Sequence, residues 1–131
     1  MSNPRDLIPK NKFDLDRAHA AVKAGFPRVG PILPDLLEWL QDYNWPVAHI
    51  LAPFLASIGD PLVPHVRRIL DGDDEIWKYW IISYIMSESK VIAVSFRSDL
   101  ERLAKSPTET EAQEELDQVA RDVLEVYGWT A

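Results

Sequence analysis

The sequence predicts an all-α fold, a short α-solenoid of about seven helices stacked as antiparallel pairs. Three observations predict it. Proline and glycine punctuate the chain where helices start and stop. Between them, apolar residues recur at i, i+3, i+4 and i+7, the spacing of one helix face. Finally, a segment of thirteen residues returns thirty positions later.

Residues 1–13 read as an irregular lead-in, because Pro4 and Pro9 oppose helix while Leu7, Ile8 and Phe13 tuck onto the body. Asp14 is the expected N-cap of a helix to Ala24, with Leu15, Ala18, Ala21 and Val22 inward. Gly25 supplies the stop and Pro27 bars continuation. The next helix, 34–42, opens on Pro34 and turns Leu33, Leu36, Leu37 and Leu40 to one side. Pro46 starts a helix over 46–58, which Pro53 should kink. Gly59-Asp60-Pro61 stops the chain and restarts it into 62–71, ended by Gly72.

Asp73, Asp74 and Glu75 suit the positive end of the following helix, 75–88, which is apolar nearly all round and therefore expected at the centre. A β-hairpin over Trp80–Met86 and Val91–Phe96 is the rival reading. Helix is preferred because each run exceeds strand length and no Asn-Gly or Asp-Gly turn parts them. Residues 90–105 continue as helix with Ile92, Phe96, Leu100 and Leu103 inward. Thr108-Glu109-Thr110-Glu111 is a capping box, the most specific local signal in the chain. It opens a last helix, 109–127, with Leu116, Val119, Val123, Val126 and Tyr127 on its stripe and Gly128 as its end.

The repeat pairs residues 30–42 with 60–72. Pro31 and Pro34 fall opposite Pro61 and Pro64, and Ile32, Leu33, Leu36 and Leu40 opposite Leu62, Val63, Val66 and Leu70. Beyond a two-residue insertion, Trp45 faces Trp77, and Ile50 and Phe54 face Ile82 and Met86. Helix pairs repeating near this length are the signature of α-solenoids. HEAT and armadillo units run to roughly 40 residues, so these would be compact, HEAT-like versions.

Length and composition set the class. The 131 residues suit a single domain, 1–131, and 47% hydrophobic content excludes a disordered chain. No apolar run reaches the roughly 18–20 residues of a membrane span. Zero cysteines exclude disulfides and thiolate zinc sites. With no export signal in sight, the expected location is cytoplasmic. Fourteen basic against twenty-one acidic residues give a net charge of −7, which disfavours a nucleic-acid partner. The charge is uneven: residues 1–28 carry six Lys/Arg against three Asp/Glu, whereas 106–131 hold Arg121 alone against seven acids.

Leu7-Ile8-Pro9-Lys10 before Phe13-Asp14, the stretch Ile32–Asp42, Asn44-Trp45-Pro46-Val47-Ala48 and Trp77-Lys78-Tyr79-Trp80 together resemble a bacterial family of small domains of unknown function with HEAT-like helical repeats. The resemblance spans most of the chain. It implies the fold and carries over no catalytic residue.

Chemistry-bearing patterns are sparse. His19, His49 and His65 fall in three separate helices without His-x-x-x-His or Glu-x-x-His spacing, so neither metal nor cofactor is expected. The acidic run Asp71–Glu75 lacks the alternating ligands of a calcium loop and reads as a helix cap. No serine sits in a Gly-x-Ser-x-Gly context, and the five glycines are isolated. Glu38 and Asp42 stand one turn apart and could share a proton, although solvated acids are the commoner meaning. A base-excision activity on a HEAT-like scaffold would need a basic groove, and Arg67-Arg68 is the only basic doublet.

What remains is a surface. Second helices of a solenoid line one side, and here they leave Asp35, Glu38 and Asp42, then His65 and Arg68, then Arg97, Glu101 and Lys105. Trp45, at a turn, is a candidate anchor, or else it fills the space between helices as Trp77 does in its own repeat. Trp39, Tyr79 and Trp80 are assigned to the core. The expectation is a non-catalytic module that binds a protein partner, with a toxin-neutralising immunity protein as its specific form, present as a monomer or weak homodimer. The competing class is an enzyme or small-ligand binder whose groups converge only in three dimensions. If one end of the stack is exposed, it is the N-terminal one, where helix 14–24 is short and alanine-rich.

Overall fold

The computed structural model describes residues 3–129. They form helices and turns with no strand among them, so the hairpin over Trp80–Phe96 falls. Nine α-helices stand among the described residues in place of about seven. They are α1 (Leu15–Ala24), α2 (Leu33–Glu38), α3 (Pro46–Ile58), α4 (Val63–Leu70), α5 (Glu75–Ile81), α6 (Lys90–Ser95), α7 (Arg97–Lys105), α8 (Glu109–Gln113) and α9 (Leu116–Val126).

The extra helices come from two breaks. Residues 90–105 divide at Phe96, whose N–H bonds three residues back to the Ala93 carbonyl, so the ladder tightens and restarts. Residues 109–127 divide at Glu115, which takes a left-handed φ of 59°. No glycine marks that break, and a β-carbon in this conformation costs about 1–2 kcal/mol, so it escapes a reading based on turn residues.

Local signals otherwise act as expected. Asp14 accepts the Arg17 N–H at 3.3 Å, and Gly25 ends α1 at φ 71°. Thr108 and Glu111 cap each other reciprocally at the start of α8. Two stripes are narrower than expected. Ala18 and Ala21 are buried in α1 but Leu15 and Val22 are exposed, and Val126 faces outward from α9. The lead-in contains a 3-10 turn, Pro4–Leu7, capped by Asn3, and Phe13 stands in solvent instead of tucking in.

The repeat has a structural counterpart in its first half. Each copy opens with a 3-10 turn, Gly30–Ile32 or Asp60–Leu62, and continues into an α-helix carrying proline in its first turn. The second half does not match. Trp45 is the residue before α3, whereas Trp77 lies within the first turn of α5. Moreover α5 runs on into a π-helix, Ile82–Met86. Wide turns of this kind leave carbonyls to be satisfied elsewhere. Here Ser87 Oγ donates to the Ser83 carbonyl and Tyr127 Oη donates to that of Met86 at 2.5 Å.

Packing follows chain order only as far as the π-helix, after which the last helix, α9, inserts ahead of α7. Helix α1 lies on α3, α3 on the π-helix, the π-helix and α5 on α9, and α9 on α7. The core runs through these contacts from Ile32, Leu36 and Leu51 to Ile81, Ile85, Leu100 and Leu116, all fully buried. Phe96 is the largest of the buried side chains, and the Arg67 guanidinium lies over its ring at 4.7 Å.

Candidate functional site

Helices α2 and α4 start alike, and the groove beside them is where sequence-derived surface residues converge. Pro34, Leu37 and Glu38 of α2, His65, Arg68 and Ile69 of α4, and Trp77 of α5 line a cleft of about 180 Å³. Its lining is mostly apolar. Trp77 joins the walls: its indole Nε1–H donates to the Leu37 carbonyl at 3.1 Å. That carbonyl belongs to the last turn of α2 and also accepts the Leu40 N–H at 3.0 Å, so the indole is its second donor.

Three candidate residues meet here. Glu38 and Arg68 are both exposed, and neither has an ion-pair partner among the described residues. His65 is half-buried, and its Nδ1 is sealed from solvent without a hydrogen-bond partner. Burial pushes the imidazole below its usual value and the Arg68 guanidinium adds to the effect, both favouring the neutral ring.

A second cleft, of about 330 Å³, shares Glu38 with the first and is lined by Ile8, Asp35, Trp39, Gln41 and Trp45. Trp45 is half-buried and sits edge-on to Trp39, with ring centroids 5.6 Å apart. It therefore presents part of one face to the cleft while its body fills space between helices. Asp35 stands 3.7 Å from Arg5 of the lead-in. Asp42 is occupied differently: its carboxylate accepts the Asn44 N–H at 2.9 Å and holds the turn before α3.

Arg97 and Glu101 do not join these clefts. They face each other along α7 at 3.9 Å, and Arg97 covers the Trp129 ring at 5.0 Å. The break at Phe96 separates α7 from the continuous helix that would have carried them onto the second-helix face.

Sequence reasoning missed an aromatic stack on another side. Tyr43 lies flat on Tyr84, centroids 3.6 Å apart, with His49 on it at 4.4 Å and Trp80 at 5.7 Å. Trp39, Tyr79 and Trp80 are half-buried at the margin, not core as expected. Burial, then Tyr84 and Glu88, push the Tyr43 phenol up. No local spacing relates residue 43 to residue 84, so only the fold brings them together.

His49 is exposed on this stack, and neither it nor His65 is hydrogen-bonded to a carboxylate among the described residues. No group of three His, Cys, Asp or Glu that could hold a metal ion occurs among the described residues. No single helix among them is long and apolar enough to cross a membrane.

Residues 7–124 match the model of a family described as Domain of unknown function (DUF5071). No curated protein matches the chain.

Proposed function

This chain belongs to the DUF5071 family, and we propose that it is a non-catalytic, HEAT-like interaction module that binds a protein partner through the α2–α4 face. One observation carries the proposal: an apolar cleft whose rim bears an acid, Glu38, and a base, Arg68, neither in an ion pair among the described residues. Free charges around an apolar depression give a partner both a place for a side chain and a fixed orientation. The adjoining Trp39–Trp45 cleft extends the surface, and its edge-on tryptophans supply rigid contact area. Among the described residues no partner hydrogen-bonds His65 Nδ1 to orient it as a general base, which favours binding over catalysis. The specific form we propose is an immunity protein that neutralises a toxin, with cytoplasmic residence and no nucleic-acid or membrane partner. The net charge of −7 suits a basic target.

The test is affinity capture from the native host with the wild-type chain, Glu38→Arg, Arg68→Glu and, as a distant control, Arg121→Glu. A protein retained by wild type and by the control, but lost from both rim variants, is the expected result. Equal retention by all four chains overturns the proposed face.

A further inference from the structure

We infer that the chain associates with a second copy of itself head to tail, its basic, apolar N-terminal end seated on the acidic, apolar groove between α5 and the α8–α9 break. This is independent of the α2–α4 face.

The N-terminal end is an unpartnered apolar surface. Of the large hydrophobic side chains in solvent, Phe13 (67% exposed), Leu15, Val22 and Phe26 (45%) all lie on α1 or within two residues of its ends. Leu15 and Val22 are two turns apart on one edge of the helix, beside the buried Ala18–Ala21 stripe that rests on α3. Lys12 and Lys23 flank this surface, the former with its ammonium 5.3 Å from the Phe13 ring, and neither is in an ion pair among the described residues. A terminal layer of a helical stack needs a polar outer face to stay alone in water, and here Asp16, His19 and Lys23 share that face with the exposed Leu15 and Val22, with Phe13 and Phe26 at its ends.

The opposite end offers the complement. Two clefts, of about 420 and 330 Å³, meet at Ile76, which is 51% exposed, and at Glu114. Tyr79 and Trp80 line the smaller one, their rings edge to face at 5.1 Å, and it is roomy enough for a phenyl ring. Around them stand Asp73, Glu114 and Glu115, none of which is in an ion pair among the described residues; Asp74 caps α5 and Glu75 pairs with Lys78.

Charge selects the second copy and its orientation. Two chains of net charge −7 repel in most arrangements. Placing the end with six basic residues against three acidic ones on the end with one against seven turns that repulsion into local attraction. Because the two surfaces are different patches, the contact is heterologous and leaves a free end on each side, so association continues as concentration rises.

Sedimentation velocity of the full chain across about 10–500 μM, the range where weak contacts saturate, reads the outcome. The weight-average mass of wild type should climb above that of one chain. Lys12→Glu/Lys23→Glu and Asp73→Lys/Glu114→Lys should each stay monomeric, and an equimolar mixture of the two should associate again, since each restores the face the other has lost. Val94→Ser, an exposed apolar change elsewhere, should behave as wild type. A monomeric wild type, association of either charge variant alone, or a monomeric mixture overturns the inference.

Discussion

Replacing Glu111 by glutamine should destabilise the domain by about 1–2 kcal/mol at neutral pH, and the loss should fade in acid. The magnitude comes from the site. The Glu111 carboxylate is buried, accepts the Thr108 N–H at 2.8 Å, and takes both Arg102 nitrogens, Nη1 at 3.0 Å and Nη2 at 2.6 Å. The Arg102 bonds, ahead of the Thr108 N–H, hold its pKa at about 2 instead of 4.5 against the opposing effect of burial. Taken at face value that difference corresponds to about 3 kcal/mol, but Arg102 is half exposed and water screens the pair. Glutamine still accepts the Thr108 N–H, so the substitution isolates the charge. The sign follows from linkage. A carboxyl with a depressed folded pKa stabilises fully above its unfolded value near 4.5, and that contribution disappears as pH falls toward 2. Urea melts of both chains from pH 7 to pH 3 should therefore show a constant gap down to about pH 5 and a shrinking one below. A gap that is absent at pH 7, or unchanged at pH 3, refutes the assignment of the charge to the Arg102 pair.

Three further outcomes follow from the same structure. Trp77→Phe removes the indole donor to Leu37, and urea melts should register a loss of about 1 kcal/mol, because that carbonyl also accepts the Leu40 N–H. A double-mutant cycle on Arg67 and Asp99, joined by two bonds of 2.9 Å in a part-exposed setting, should return a coupling of about 0.5–1 kcal/mol. Glu115→Gly relieves a left-handed β-carbon and should raise thermal stability by about 0.5–1 kcal/mol, measured by calorimetry.

The elements that the sequence located well are those whose cause is local. Asp14, Gly25, the Pro-rich starts at residues 30 and 60, the Thr108 capping box and Gly128 each act through a few neighbouring backbone groups, and each sits where the sequence pattern placed it. The breaks at Phe96 and Glu115 were hidden for different reasons: Phe96 is fully buried, so its break lies within the tertiary packing, and Glu115 carries none of the turn chemistry that announces a left-handed residue. The candidate site divides along the same line. Glu38, His65 and Arg68 follow from helix periodicity and the repeat, whereas the Trp77 wall and the Tyr43–Tyr84 stack join residues about forty positions apart. Arg97 and Glu101 were misplaced by extrapolating a helix through the break.

The repeat explains why a cleft with a mixed rim exists at all. Glu38 and Arg68 are thirty positions apart, so they occupy the same register in the two copies, as do Asp35 and His65. The inward positions of the copies stay apolar: Ile32 with Leu62 and Leu36 with Val66 are buried pairs. At the equivalent outward positions the chemistry has changed, from Asp35 to His65 and, with reversal of sign, from Glu38 to Arg68. Packing demands only the inward set, because buried volume and polarity are tightly constrained while exposed positions are nearly neutral for stability. Two like-signed copies side by side would have given a uniform acidic strip. Opposite charge across the groove instead leaves a dipolar rim over an apolar floor, which the proposed partner would have to match at both ends. Under the proposed function, reversing one rim charge would therefore do more than remove a contact, since it sets two like charges across the same cleft and would repel that partner at the matching position.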